Sequence, residues 1–284
     1  MGDIAPDGLN EESQCEPQDN NGEIKVLVTG YAPFHVRFPV NSSWSIASTL
    51  PEHLPATTTC PRIKLVVPTE PIQVAYNTVV EWEENSLAST DYDIILHIGL
   101  AAGRKFFTME RQSQREPYWE KKDVKGEVFS REMTEKLWPN MKFPMVLKPT
   151  FDCGDVWLRW RANVDKRLDV RPSDDPGNYL CGFIYYYSMA WFWARASKER
   201  PVMFLHVPDL PTEELVEGGR EVTIGLIRAL VESREKKGVF DPLAVDESGL
   251  KSNGHFTSPG FLQRPSSFES SCTEECDMAW TYQK

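Results

Sequence analysis

The chain has 284 residues, with 31 Lys+Arg against 42 Asp+Glu and a formal net charge of −11. Residues 1–22 carry six acids (Asp3, Asp7, Glu11, Glu12, Glu16, Asp19) and no base, residues 241–284 carry seven acids and three bases, and residues 23–240 are left at −1. A near-neutral body lacks the basic face that displaces phosphate counterions, so nucleic acid is not an expected partner. No run approaches the roughly 20 apolar residues that span a bilayer, so no membrane is expected either.

The first 22 residues are acidic and poor in aliphatic side chains, and they are expected to be disordered. They have neither the basic n-region nor the apolar h-region of a signal peptide. The six cysteines (Cys15, Cys60, Cys153, Cys181, Cys272, Cys276) lack a dense framework spacing. Free thiols in a reducing cytoplasm are therefore expected.

Ile24–Gly30 (IKVLVTG) is a β-branched run ended by Gly, the pattern of a buried strand. Asn41 to Leu50 opens with capping residues and then reads helical. Arg62–Pro68 is a second strand, and Pro71 to Asn85 has apolar residues at helical spacing. Asp91–Leu100 is a third strand. Residues 112–172 are rich in charge and Trp without a clean period, and an irregular insertion is expected there, with 154–168 as its best helix. Apolar residues from Phe183 to Trp191 are helically spaced. Pro201–Pro208 is another buried strand. Thr212 to Lys236 is an amphipathic helix with Thr212 as cap and Glu213 and Glu214 in its first turn. Residues 241–284 are expected to be a mostly disordered acidic tail around a single folded domain, 23–240. Continuous apolar strands alternating with helices predict an α/β fold with a mainly parallel sheet covered on both faces.

In such sheets ligands bind beyond the carboxyl ends of the strands. After the first strand comes Gly30-Tyr31-Ala32-Pro33-Phe34, which lacks the further glycines of a dinucleotide fingerprint. No P-loop and no G-x-S-x-G elbow occurs. Glu110 follows the third strand, His206 ends the strand after Pro201, and Cys181 lies in or just before the first turn of the helix after Asp174-Asp175-Pro176-Gly177. Singly, each has an ordinary structural explanation: a solvated pair with Arg111, a packed imidazole, an inert thiol. Jointly they form a Cys–His–acid set, with the thiol where a helix dipole and free N–H groups favour a thiolate or an oxyanion.

At these residues the sequence resembles the pyroglutamyl peptidase I family of cysteine peptidases, and most of all its fungal members. The blocks are VLVTGYAPFH followed by Asn41-Ser42-Ser43-Trp44, then GLAAGRKFFTMER, DDPGNYLCGFIYYYS and FLHVP. The resemblance implies a three-layer α/β/α sandwich and a cytoplasmic enzyme acting on peptides with N-terminal pyroglutamate. It implies catalysis by Glu110, Cys181 and His206. It implies a lactam pocket with Tyr31, Phe34 and Tyr179 flanking the ring, Leu180 and Thr69 nearby, and Asn41 as a hydrogen-bonding partner. No metal or cofactor is implied. His35, Ser42, Leu100, Gly182 and Gln112-Ser113-Gln114 depart from the family pattern. The departures at Leu100 and Gly182 motivate an alternative, a non-catalytic binding protein on the same fold. A phosphorylase-like transferase would need a phosphate site, for which Arg104 is the one candidate.

Overall fold

The computed structural model describes residues 22–89, 92–243 and 255–256. The N-terminal acidic segment and most of the C-terminal one lie outside the described residues. In chain order the first elements are β1 (Ile24–Thr29), α1 (Ser42–Ala47), β2 (His53–Leu54), β3 (Ile63–Val66), α2 (Tyr76–Ser89), β4 (Ile94–Leu100), β5 (Phe107–Glu110) and β6 (Ser113–Gln114). Then follow α3 (Arg131–Leu137), β7 (Val146–Leu147), α4 (Cys153–Asn163), β8 (Val170–Ser173), α5 (Leu180–Ala194), β9 (Val202–Val207), α6 (Glu213–Lys237), β10 (Val239–Phe240) and β11 (His255–Phe256).

Seven strands form one sheet in the order β2-β3-β1-β4-β9-β5-β8. β3, β1, β4 and β9 run parallel. β2 is antiparallel to β3 at one edge, and β5 is antiparallel to β9 near the other, with β8 parallel to β5. The sheet is therefore mainly parallel, as its apolar strands predict. Side chains alternate between two cores with the period of two that strands impose. Val26, Val28, Ile94, Leu96, Ile98, Met203, Leu205 and Val207 pack with α1, α4 and α6. Leu27, Ile95, Val202 and Phe204 pack on the other face with α2 and α5. These are the three layers of an α/β/α sandwich.

The stretch 112–172 divides in two. Residues up to Leu147 form a lobe with α3 and the β6–β7 pair, and its Tyr118, Phe129, Trp138 and Phe143 join the α5-side core. From α4 onward the chain belongs to the main layers. Trp160 Nε1 of α4 donates to the Val222 carbonyl of α6 at 2.9 Å, and β8 is a strand of the large sheet. At the carboxyl end the described residues after α6 contact the domain. Asp241 accepts from the buried Arg200 guanidinium, and Leu243 packs against the α5-side core. β11 pairs with β10. No helix among the described residues is long and apolar enough to cross a membrane.

Candidate active site

The carboxyl ends of β4 and β9 lie beside the antiparallel β5, and their register places the polar residues on one face. His206 of β9 has Gly99 of β4 as its partner on one side and Thr108 of β5 on the other. Glu110 lies two residues beyond Thr108 and so points to the same face. His206 Nδ1 and Glu110 Oε1 are 2.8 Å apart. The same carboxylate oxygen accepts from Thr108 Oγ1 at 3.0 Å and from Arg104 Nη1 at 2.7 Å. Arg104 Nη1 also lies 2.6 Å from Thr108 Oγ1, and its Nη2 donates to the Asp175 carbonyl at 2.9 Å.

Cys181 descends onto this row from the first turn of α5. A β-carbon on Gly99 would lie 2.8 Å from Cys181 Sγ and 2.7 Å from Phe204 Cζ. Only glycine leaves room for the sulfur to rest on β4 there. Gly99 is the register partner of His206, one strand spacing away, about 4.8 Å. Cys181 and His206 line the same cavity.

α5 begins differently from its neighbours. Asn41, Ser130, Asp152 and Thr212 cap α1, α3, α4 and α6 with side-chain acceptors, whereas Tyr179 makes no side-chain cap bond to α5. The first N–H groups of a helix have no intrahelical acceptor. Here they sit around the thiol, where an anion would be favoured. The turn before α5 presses on it: a β-carbon on Gly182 would lie 2.1 Å from the Gly177 carbonyl oxygen. The glycine after Cys181, a departure from the family pattern, thus has a steric reason. Gly177 itself has φ +76, in the left-handed region that glycine tolerates.

Burial sets the protonation states. It pushes the half-buried Cys181 thiol up to about 12, the Glu110 charge adds to this, and Arg104 opposes it. Burial also draws His206 below its ordinary value, partly offset by the hydrogen bond and charge of Glu110. For Glu110, burial alone would raise the pKa. Hydrogen bonds from His206, Ser173 and Arg104, with the His206 charge, outweigh it and hold the carboxyl below the usual range. At neutral pH the site rests as thiol, neutral imidazole and carboxylate.

A cavity of about 400 Å³ opens over the thiol, lined by Tyr31, Phe34, Asn41, Leu100, Tyr179 and Leu180 among others, and it reaches Cys181, His206 and Arg104. Its walls are fixed from below. Tyr31 hydroxyl donates to the Leu180 carbonyl at 2.9 Å, and Tyr31 N–H donates to Ser43 Oγ at 2.9 Å. Asn41 caps α1 through Oδ1 and donates from Nδ2 to the Ala32 carbonyl at 3.0 Å, cinching the Tyr31–Phe34 loop. Tyr179 meets Tyr76 edge-on at 6.2 Å. Thr69 is exposed and outside the cavity lining. No carboxylate lines the cavity among the described residues.

Arg104 and Gly99 stand out only in three dimensions. Thr108 and Glu110 carry a readable signal, since Phe107-Thr108-Met109-Glu110 alternates apolar and polar like a half-polar strand. Arg104 directs three of its N–H groups to Thr108, Glu110 and the Asp175 carbonyl. Among the described residues no cluster of three or more His, Cys, Asp or Glu could hold a metal ion.

The pyroglutamyl peptidase family model matches residues 24–135, a span that includes Glu110 and ends before Cys181 and His206. The pyrrolidone-carboxylate peptidase of Thermosipho africanus is 22% identical over 197 residues, covering 68% of this chain and 85% of that protein. The Staphylococcus aureus (strain bovine RF122) enzyme of the same name is 37% identical over 88 residues, 31% of this chain and 37% of its own length. Among solved structures, a mutant pyrrolidone carboxyl peptidase from Pyrococcus furiosus superposes with a TM-score of 0.60 at 22% identity, covering 74% of this chain and 99% of that one. That last likeness is one of fold. With the matched model and the sequence relatives beside it, the chain is similar to the pyroglutamyl peptidase family over residues 24–135 and, at lower identity, to a pyrrolidone-carboxylate peptidase over most of its length.

Proposed function

We propose that the protein is a cysteine peptidase that removes N-terminal pyroglutamate from peptides, with Cys181 as nucleophile, His206 as general base and acid, and Glu110 as the group that orients His206. The observation that supports this reading is the Glu110–His206 contact at a cavity that Cys181 also lines, at a helix start without a side-chain cap. As Cys181 Sγ attacks the pyroglutamyl carbonyl carbon, its proton passes to His206 Nε2, the nitrogen not held by Glu110. The first-turn N–H groups of α5 stabilise the oxyanion. The C–N bond then breaks, and His206 returns the proton to the leaving amine. Water, activated by His206, hydrolyses the thioester, frees pyroglutamate and restores the thiol. Because the resting thiol is protonated, proton transfer accompanies attack instead of preceding it.

The cavity suits the substrate. An aminopeptidase acting on an ordinary N-terminus must balance a buried ammonium, and among the described residues no carboxylate lines this cavity. A lactam is flat and neutral, and it fits between Tyr31, Phe34 and Tyr179 with Leu180 below. Asn41 keeps one amide hydrogen for it. Cys60, Cys153 and Cys181 are free, which suits a reducing cytoplasm. The test is hydrolysis of a pyroglutamyl arylamide beside the same arylamide of alanine, by wild type and Cys181→Ala. The expected result is thiol-dependent turnover of the lactam substrate alone. No turnover by folded wild type, or undiminished turnover by Cys181→Ala, refutes the proposal.

A further inference from the structure

We infer that Arg104 is a positioning residue that ties the acid of this site to the turn that seats its nucleophile. The inference rests on the proposed peptidase reading and adds a part to it. One guanidinium reaches three acceptors on two segments: Glu110 Oε1 at 2.7 Å, Thr108 Oγ1 at 2.6 Å and the Asp175 carbonyl at 2.9 Å. The first two set the carboxylate that holds His206. The third anchors the turn Asp175–Gly177, whose Gly177 oxygen presses on Gly182, the residue after Cys181. The loop is also braced by Asp175 N–H on Ser173 Oγ at 3.1 Å and Gly177 N–H on Asp175 Oδ1 at 3.0 Å, and one residue earlier by Arg111 and Gln112, which donate to Asp174. Arg104 differs from these in reaching the Glu110 carboxylate and the turn with one guanidinium. A planar fork can do this, whereas an ammonium on a flexible stem cannot hold three directions at once.

The same cation acts on the imidazole. Arg104 Nη1 and His206 Nδ1 both touch Glu110 Oε1, which puts them within about 5.5 Å. The charged or titratable groups facing His206 are Glu110 from β5, Cys181 from α5, and Arg104 and Asp175 from the loops. Glu110 and Asp175 favour the imidazolium, and Arg104 disfavours it. Removing the cation therefore raises the pH at which His206 becomes a base.

The experiment measures kcat/KM for a pyroglutamyl arylamide against pH, and iodoacetamide alkylation of Cys181 against pH, in wild type, Arg104→Gln and Arg104→Lys. Thermal melts check the fold. In Arg104→Gln the acid limb is expected to move up by about half a pH unit or more, the lower figure being a unit charge acting in water-like surroundings. Its kcat/KM is expected to fall about 10- to 100-fold from misplacement. Arg104→Lys restores the limb and leaves kcat/KM at least about tenfold low. A neutralising role alone would let Lys restore both. An Arg104→Gln limb that overlays wild type, or an Arg104→Lys kcat/KM within about twofold of wild type, overturns the inference. Should Arg104→Gln not fold, the Lys variant decides by the same criterion. If wild type turns over no pyroglutamyl substrate, the peptidase reading fails, and a shift of the alkylation profile in Arg104→Gln still decides whether Arg104 acts on the thiol.

Discussion

Glu83 of α2 is wholly buried beneath α5, outside the cavity, and its protonation should govern how stability depends on pH. Its Oε1 accepts from Ser188 Oγ at 2.7 Å; Ser188 Oγ is 2.8 Å from His97 Nε2, and His97 Nδ1 is 2.8 Å from Thr29 Oγ1. Burial pushes Glu83 up to about 8 and draws His97 down to about 3, so both are neutral in the folded protein at neutral pH. The folded carboxyl keeps its proton to about pH 8, and the unfolded one loses it near 4.5. A raised folded value gives stability that is fully present below the unfolded value and is lost as pH rises to the folded one. At about 1.4 kcal/mol per pH unit, the loss between pH 4.5 and 8 amounts to about 5 kcal/mol, an upper figure because buried sites relax. Glu83→Gln keeps an acceptor for Ser188 and has no proton to lose. Urea unfolding of wild type and Glu83→Gln at pH 5, 6, 7 and 8 checks this directly. The difference between the two curves should swing by several kcal/mol in favour of the variant as pH rises, since all other titrating groups are common to both. Parallel curves would show that Glu83 ionises normally, and the reasoning would be refuted.

Two further outcomes concern close contacts. Gly99→Ala would push its β-carbon against Cys181 Sγ and Phe204, and should cut turnover at a cost of about 1–3 kcal/mol in stability, read by assay and denaturant melt. Gly182→Ala meets a backbone oxygen that cannot rotate away; it should lose more activity than Gly99→Ala, and equal wild-type activity would show that the turn yields freely. At the carboxyl boundary, Asp241→Ala strands the buried Arg200 and should cost about 3–5 kcal/mol by chemical denaturation.

Legibility from sequence followed the physics of each segment. β1, β3, β4 and β9 are apolar runs, and α6 has a cap and a clear face, so periodicity alone finds them. β5 and β8 are short and half-polar, and β8 contains Pro172 on an edge strand, where proline is tolerated. β5 carries only a four-residue alternation and β8 none, which is why the sheet extends further than the sequence predicts. The lobe before Leu147 packs aromatics in loops, and loops have no period. The sequence pattern puts Glu110 and His206 near strand ends and Cys181 near a helix start; Glu110 and His206 are in contact, and Cys181 and His206 line one cavity. The role of Arg104 is not legible in the sequence, because its three acceptors are contributed by β5 and the pre-α5 turn. Tyr31 and Asn41 line the cavity, but their polar atoms are engaged in holding it open, a distinction that residue type cannot reveal.

The alternation of the sheet has one more consequence. Every polar site residue on β5 and β9 has an apolar neighbour one position along, Met109 beside Glu110 and Leu205 beside His206, turned to the opposite core. A slip of one residue during folding would drive Glu110 and His206 into the layer that holds Val156, Trp160 and Leu226, and would leave apolar side chains under the helix start of α5. Such mispairing strands a carboxylate in hydrocarbon and cannot persist. The residues that make the chemistry possible thus also act as proofreaders of strand alignment, rejecting chains that assemble out of step.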